Sequence, residues 1–123
     1  MKLNRLVAII AVAAMVVPAV AQKSTADLDK KEKAMLAQLE KKYTTAKADY
    51  AKKPATKPAY IKATLAYADA VLVSPALGPR EKYPKSLRLY REVRSVDPSN
   101  KSAKSNIDLI EGIYKSMGRP IPK

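Results

Sequence analysis

The sequence predicts an all-α protein, and three features of its pattern support this class. Ala and Lys are abundant, and no run of β-branched residues shows the period-two alternation of a strand. Apolar residues recur instead at steps of three and four, which is the spacing of one helix face. Pro and Gly are concentrated at a few points that divide the chain into segments of helical length. We therefore expect antiparallel helical hairpins packed in a small bundle, with helices at about residues 24–53, 58–73, 83–96 and 101–117.

The N-terminal segment has the three-part pattern of a secretory signal peptide. Lys2 and Arg5 give a positive start, residues 6–17 are an unbroken apolar run, and residues 19–21 are small. The run is shorter than the roughly 20 apolar residues of a comfortable spanning helix. We expect cleavage before Gln22 and export to the periplasm or the medium of a bacterium. An uncleaved N-terminal anchor is the alternative.

Pro-containing boundaries divide the chain into four parts. Residues 1–21 are the predicted signal peptide, and residues 22–57 are a Lys-rich amphipathic helix with its linker. Residues 58–120 form the predicted helical domain, and residues 121–123 are a tail. The chain is long enough for one small domain after the signal peptide is removed.

The first predicted helix has Ser24 as its cap, with Asp27 three residues later, and ends before Pro54. Its helical spacing places six residues on one apolar face: Leu28, Met35, Leu39, Tyr43, Ala46 and Tyr50. The second helix opens with Pro58, since Pro is favoured in a first turn. This helix carries two apolar stripes, so we expect it to be central and buried on two sides. The stripes are Tyr60, Ala63, Tyr67 and Ala70, and Ile61, Leu65, Ala68 and Leu72.

The predicted loop at residues 74–82 leads to a third helix with Pro84 in its first turn. The fourth helix begins at Asn100 or Ser102 as cap, and Gly118 is a suitable residue to end it. The apolar arc of the third helix comprises Tyr83, Leu87, Leu89, Tyr90, Val93 and Val96.

The composition excludes several kinds of chemistry. The chain has no His and no Cys, so no imidazole serves as a general base and no thiolate binds zinc. Its three Gly leave no material for a glycine-rich phosphate loop. Tyr43 and Lys47 have the spacing of the Tyr/Lys pair of short-chain dehydrogenases, but no strand accompanies them, so we interpret them as a core tyrosine beside a surface lysine. We expect no enzyme activity, no cofactor and no metal.

The net charge is the strongest functional signal in the composition: +13 for the whole chain, and +11 (13 − 2) once Lys2 and Arg5 leave with the predicted signal peptide. Such a domain attracts polyanions and anionic membrane surfaces without sequence specificity. The candidate basic surface on the third helix consists of Lys85, Arg88 and Arg91. A surface that only solubilises the protein is the alternative. We expect no sequence-specific nucleic-acid binding, because no helix-turn-helix spacing stands out.

A faint internal repeat of 40 residues is the last feature of the sequence. The spacing of two Tyr, a small residue and a later Pro occurs twice, as Tyr43, Ala46, Tyr50 and Pro58 and as Tyr83, Ser86, Tyr90 and Pro98. The second copy, residues 83–100 with its closing Asp-Pro-Ser-Asn, resembles the second helix of a tetratricopeptide repeat (TPR). The resemblance extends more loosely over residues 58–120, with ten residues more than the family between Tyr67 and Tyr83.

The resemblance implies a short right-handed solenoid as the alternative to a small bundle, with residues 22–57 as a degenerate repeat half or a cap. It also implies a non-enzymatic adaptor that binds a protein or peptide. In that family the first helix of each repeat lines a concave groove. By position this implies a groove formed by Ile61, Lys62, Leu65 and Asp69 of the second helix and Ser105, Asn106 and Leu109 of the fourth. So short an array needs a partner or a second copy of the chain to bury its ends. The alternative function is a basic helical module that binds anionic envelope polymers, membrane surfaces or unfolded proteins.

Export can be tested with Ile10→Arg, which places a charge inside the apolar run and should keep the protein in the cytoplasm. Mass spectrometry of the exported wild-type protein should give an N-terminus at Gln22. An exported chain that still begins with Met1 would show that the segment is not a cleaved signal peptide.

Overall fold

The computed structural model describes residues 19–123, with side chains from Thr25 onward, and this part of the chain is helical without a strand. Helix α1 is Ala19–Lys52, α2 is Lys57–Val73, α3 is Pro79–Val96 and α4 is Lys101–Ser116. A 3₁₀ turn, Pro54–Thr56, joins α1 to α2. The predicted all-α class is confirmed. The predicted signal sequence up to residue 18 lies outside the described residues.

None of the described helices is both long enough and apolar enough to cross a membrane. The backbone of α1 passes through Ser24 without a break, so Ser24 does not cap it as predicted. The end of α1 follows the expected chemistry, because Lys53 is extended at φ −132° and ψ 98° directly before Pro54. Proline disfavours the helical conformation in the residue that precedes it.

Helix α3 begins four residues earlier than the sequence pattern predicts. Gly78 is its N-cap and Pro79 its first residue, whereas Pro84 lies inside the helix. Both prolines are compatible with helical φ, and Pro79 takes the first position, where its missing N–H has no partner to lose. The predicted loop at 74–82 is therefore shortened to residues 74–78.

The two ends of α4 are formed by local hydrogen bonds that the sequence predicts. The Asn100 side chain accepts from the Ala103 N–H at 2.9 Å, so Asn100 rather than Ser102 is the cap. Gly118 has a φ of +63°, and the Gly118 and Arg119 N–H groups donate to the carbonyls of Lys115 and Tyr114. This pair of bonds is the Schellman motif, which favours glycine because its first residue beyond the helix is left-handed.

The helices pack in chain order, with α2 between α1 and α3 and with α4 against α3. Ring contacts show that α1 and α2 are antiparallel, because Tyr50 stacks on Tyr60 at 5.1 Å while Tyr43 meets Tyr67 at 5.7 Å. Helix α3 runs in the opposite direction to α2, because Tyr60 donates to Glu92 while Tyr67, further along α2, lies under Lys85, earlier on α3. The central position expected for α2 is thus observed.

The buried core is formed mainly by α2, α3 and α4, and α1 contributes Leu36 to it. The predicted apolar face of α1 is wrong at its start, because Leu28 and Met35 are 61% and 42% exposed while Leu36 is 7% exposed. Leu39 and Tyr43 do pack against the core. The core comprises Leu36, Tyr67, Ala68, Val71, Leu87, Leu89, Tyr90, Val93, Ala103, Ile107, Ile110 and Tyr114.

Tyr90 is fully buried, and its hydroxyl donates to Asp69 Oδ1 at 2.5 Å. Tyr90→Ala should lower the free energy of unfolding by about 3–5 kcal/mol, because it leaves a large cavity between helices. Tyr90→Phe keeps the ring and should lose about 1–3 kcal/mol, because the hydrogen bond that it removes has a charged acceptor. Arg88→Ala, an exposed control on α3, should change stability by less than about 0.5 kcal/mol. If thermal melts show that Arg88→Ala and Tyr90→Ala lose the same stability, Tyr90 does not lie on the buried face of α3.

Candidate functional site

A half-buried carboxylate joins three helices at one point. Glu92 of α3 accepts hydrogen bonds from the hydroxyls of Tyr43 on α1 at 2.6 Å and Tyr60 on α2 at 2.5 Å. Lys47 of α1 forms an ion pair with the same carboxylate at 2.5 Å, and the Glu92 side chain is 17% exposed. We call these four residues the Glu92 junction.

The pKa values in the Glu92 junction follow from this arrangement. Burial alone would raise the pKa of Glu92, but the hydrogen bonds from Lys47, Tyr43 and Tyr60 outweigh it and lower that pKa below its usual 4.5. Burial and the hydrogen bond to Glu92 raise the pKa values of Tyr43 and Tyr60, whereas the hydrogen bond to Glu92 raises that of Lys47. A phenol with a raised pKa is the opposite of an activated catalytic tyrosine. The Tyr43 and Lys47 spacing is thus explained by a shared acceptor.

Glu92 is not among the residues predicted for a site, although the sequence carries a signal for it. Glu92 lies three residues after Leu89 and four before Val96, so it shares a helix face with apolar residues. An acid on the apolar face of a helix indicates a buried partner, and here the partners are on α1 and α2.

A groove of about 650 Å³ runs along one side of α2, with Asp97 from the end of α3 at its border. Its base is apolar, with Ile61 and Leu65 half-buried, and charged side chains border it. We call it the α2 groove, lined by Lys57, Pro58, Ile61, Lys62, Leu65, Ala66, Asp69 and Asp97.

Asp69 connects the α2 groove to the core. Its Oδ1 accepts from the buried Tyr90 hydroxyl, and burial followed by this hydrogen bond raises the pKa of Tyr90. Asp97, beyond the end of α3, accepts from Ser99 and Asn100. Both carboxylates are therefore held in place by the fold while they line the groove, and a carboxylate has further acceptor positions for a ligand.

The structure brings together four of the seven residues that the resemblance implies for a groove: Ile61, Lys62, Leu65 and Asp69. The α4 residues lie elsewhere. Ser105 and Leu109 are exposed, Asn106 is half-buried, and none of the three lines the α2 groove. Asp97 of the α3–α4 connection takes part instead.

The three residues of the candidate basic surface have different surroundings. Lys85 lies over the Tyr67 ring at 5.4 Å, and Arg91 pairs with Glu111 at 3.3 Å and donates to the Pro122 carbonyl at 2.7 Å. Arg88 is exposed. The described part of α3 therefore presents Arg88 to solvent, while Lys85 and Arg91 are engaged in contacts within the chain.

Among the described residues no group of three acidic side chains is arranged to hold a metal ion. No protein-family model, no curated protein and no solved structure matches this chain. The function of the α2 groove has to be inferred from its own geometry.

The Glu92 junction should make stability depend on pH at both extremes. Because the folded pKa of Glu92 is lowered, its contribution is complete above pH 4.5 and is lost as the pH falls through the folded value. Because the folded pKa values of Tyr43 and Tyr60 are raised, stability should also fall as the pH rises above 10.

Glu92→Gln should lower the free energy of unfolding at pH 7 by about 1–3 kcal/mol. It should also reduce the loss of stability below pH 4.5, because the variant has no carboxyl to protonate at this position. Asp108→Asn removes an exposed acid paired with Lys104 and should cost less than about 0.5 kcal/mol. Urea melts from pH 2 to pH 11 measure both effects. If the free energy of unfolding of Glu92→Gln falls at acid pH as steeply as that of the wild type, other carboxylates cause the loss of stability.

Proposed function

We propose that this protein is an exported, non-enzymatic binding protein that takes a peptide or protein segment into the α2 groove. The observation that carries the proposal is the groove itself: an apolar base of Ile61 and Leu65, bordered by charges of both signs, on the open face of a central helix. A ligand site in which a few charged groups surround apolar contacts is the usual design for specific recognition.

The chemistry of the groove restricts the ligand. Lys62 and Asp69 are seven residues apart on α2, so they lie on one face about 10 Å from each other, with Leu65 between them. An extended chain spans that distance in about three residues. The ligand we propose therefore carries an acidic and a basic side chain about three residues apart, with an apolar side chain between them.

We interpret the architecture as a short TPR-like array. In this proposal α2 and α3 form one repeat, α4 begins the next, and α1 is a cap or a decayed repeat half. Support comes from the resemblance at residues 83–100 and from the packing of the helices in chain order. The sequence of residues 1–21 supports export.

A second candidate function rests on a basic surface of α1, which is distinct from the candidate basic surface of α3. Lys41 and Lys42 are exposed and, among the described residues, have no ion-pair partner; with Gln38, Thr45 and Asp49 they border a shallow depression. Such a surface fits an anionic polymer or an anionic membrane, and binding through it would weaken steeply with salt.

The α2 groove can be tested with a displayed random-peptide library. The wild-type protein should enrich peptides with an acid and a base separated by about three residues around an apolar residue. Leu65→Lys places a charge on the apolar base and should weaken capture of those peptides at least about tenfold, which corresponds to 1.4 kcal/mol. Leu109→Lys is the matched control on α4, because Leu109 is 53% exposed and outside the groove.

Equal loss of binding in the two variants would contradict a site confined to α2. Binding that survives Leu65→Lys but disappears between 50 and 300 mM salt, on the scale where screening becomes strong, would favour the basic surface of α1. Thermal melts of both variants show whether each is folded.

A further inference from the structure

A second cavity, separate from the α2 groove, lies where the start of α3 meets the end of α4. Its volume is about 210 Å³, and we call it the arginine cavity. Three of its lining residues come from α3 and three from the end of α4 and the residues beyond it: Pro79, Arg80, Tyr83, Tyr114, Met117 and Arg119.

The turn that ends α4 fixes one wall of this cavity. Gly118 adopts a φ of +63°, and the Arg119 N–H donates to the Tyr114 carbonyl at 3.0 Å. These bonds hold the backbone of Arg119 next to the Tyr114 turn. The opposite wall is the first turn of α3, where Pro79 restricts the backbone that carries Arg80. Both arginines thus project from well-defined backbone.

Neither Arg80 nor Arg119 has an acidic partner within the described chain, although the fold does pair other cations. Arg91 pairs with Glu111, and Lys47 pairs with Glu92. Every residue that lines the arginine cavity is cationic, aromatic or apolar, and none is acidic. Two arginines from distant parts of the chain therefore line one cavity, and neither side chain donates a hydrogen bond to another described residue.

The interior of the cavity is suited to a ring or a short apolar group. Tyr114 is 8% exposed and Tyr83 is half-buried. Met117, which is 47% exposed, adds a thioether side chain. Lys82 lies over the Tyr83 ring at 5.6 Å and adds a further positive charge nearby. Methionine and tyrosine side chains make favourable contacts with an aromatic ring.

We propose that the arginine cavity binds a small oxyanion carried on an aromatic ring, either an aryl carboxylate or an aryl phosphate. Arginine pairs with both kinds of oxyanion through two parallel hydrogen bonds, and the tyrosines and Met117 contact the ring. The volume is below the range of about 300–1,000 Å³ typical of drug-sized ligands, so the site accommodates a single ring and its anion. This site is independent of the α2 groove.

The test uses the full-length protein and four probes followed by NMR: phenyl phosphate, benzoate, the neutral analogue benzamide, and inorganic phosphate. Phenyl phosphate or benzoate should shift the signals of Tyr114 and Met117. Benzamide and inorganic phosphate should bind at least about tenfold more weakly, since each lacks one half of the recognised chemistry. A preference between phenyl phosphate and benzoate identifies which oxyanion the site takes.

Arg80→Gln and Arg119→Gln should each weaken binding of the preferred probe about tenfold or more, because each removes a charge-assisted hydrogen bond. Arg88→Gln is the matched control, an exposed arginine on α3 that does not line the cavity. Both cavity arginines are exposed, so the variants should keep the wild-type melting temperature.

Three results would overturn the proposal: no saturable binding of phenyl phosphate or benzoate, benzamide binding as tightly as benzoate, or equal weakening by Arg88→Gln. The last would indicate general attraction to a cationic protein. Failure of peptide capture by the α2 groove has no bearing on these outcomes, since the two sites share no lining residue.

Discussion

The Glu92 carboxylate is the interaction on which the arrangement of α1, α2 and α3 depends. Removing an ionised carboxylate from water is costly unless hydrogen bonds and an opposite charge replace the lost solvent. Glu92 has these replacements in Tyr43, Tyr60 and Lys47. Because the three donors come from two helices and the acceptor from a third, the contact is complete only when α1, α2 and α3 are all in register.

This register also determines which face of α2 remains open. Tyr60 and Tyr67 face α1, where they contact Tyr50 and Tyr43, and the Tyr90–Asp69 bond connects α2 to α3. The faces of α2 toward both neighbours are therefore occupied. The remaining strip, with Ile61 and Leu65, is left half-buried as the base of the α2 groove. The same contacts that stabilise the bundle thus create its candidate site.

Local chemistry made most of the helices predictable, and its failures have physical causes. Asn100 and Gly118 act within one turn of the chain, so the ends of α4 could be assigned from sequence. The start of α3 could not be assigned from the sequence, because Pro79 and Pro84 both fit the first turn of a helix. Leu28 looked like a core residue from periodicity alone, yet α1 extends to about 51 Å against about 26 Å for α2. Among the described residues, the part of α1 around Leu28 therefore extends past the end of α2, and Leu28 is 61% exposed.

The candidate site shows the same division between local and tertiary information. Ile61, Lys62, Leu65 and Asp69 share one face of one helix, so periodicity was enough to group them. Whether residues of α4 join that face depends on how α3 places α4, which no local pattern encodes. Glu92 was missed for a related reason: its partners lie 32 and 49 residues away in the chain.

The most direct test of this account is a titration of the Glu92 side-chain carboxyl in the folded protein, monitored by ¹³C NMR. A carboxyl held by two tyrosines and a lysine should titrate below 4.5, with Tyr43 and Tyr60 resonances shifting in step. A pKa at or above 4.5 would contradict the account, since burial without those three donors raises the pKa of a carboxyl.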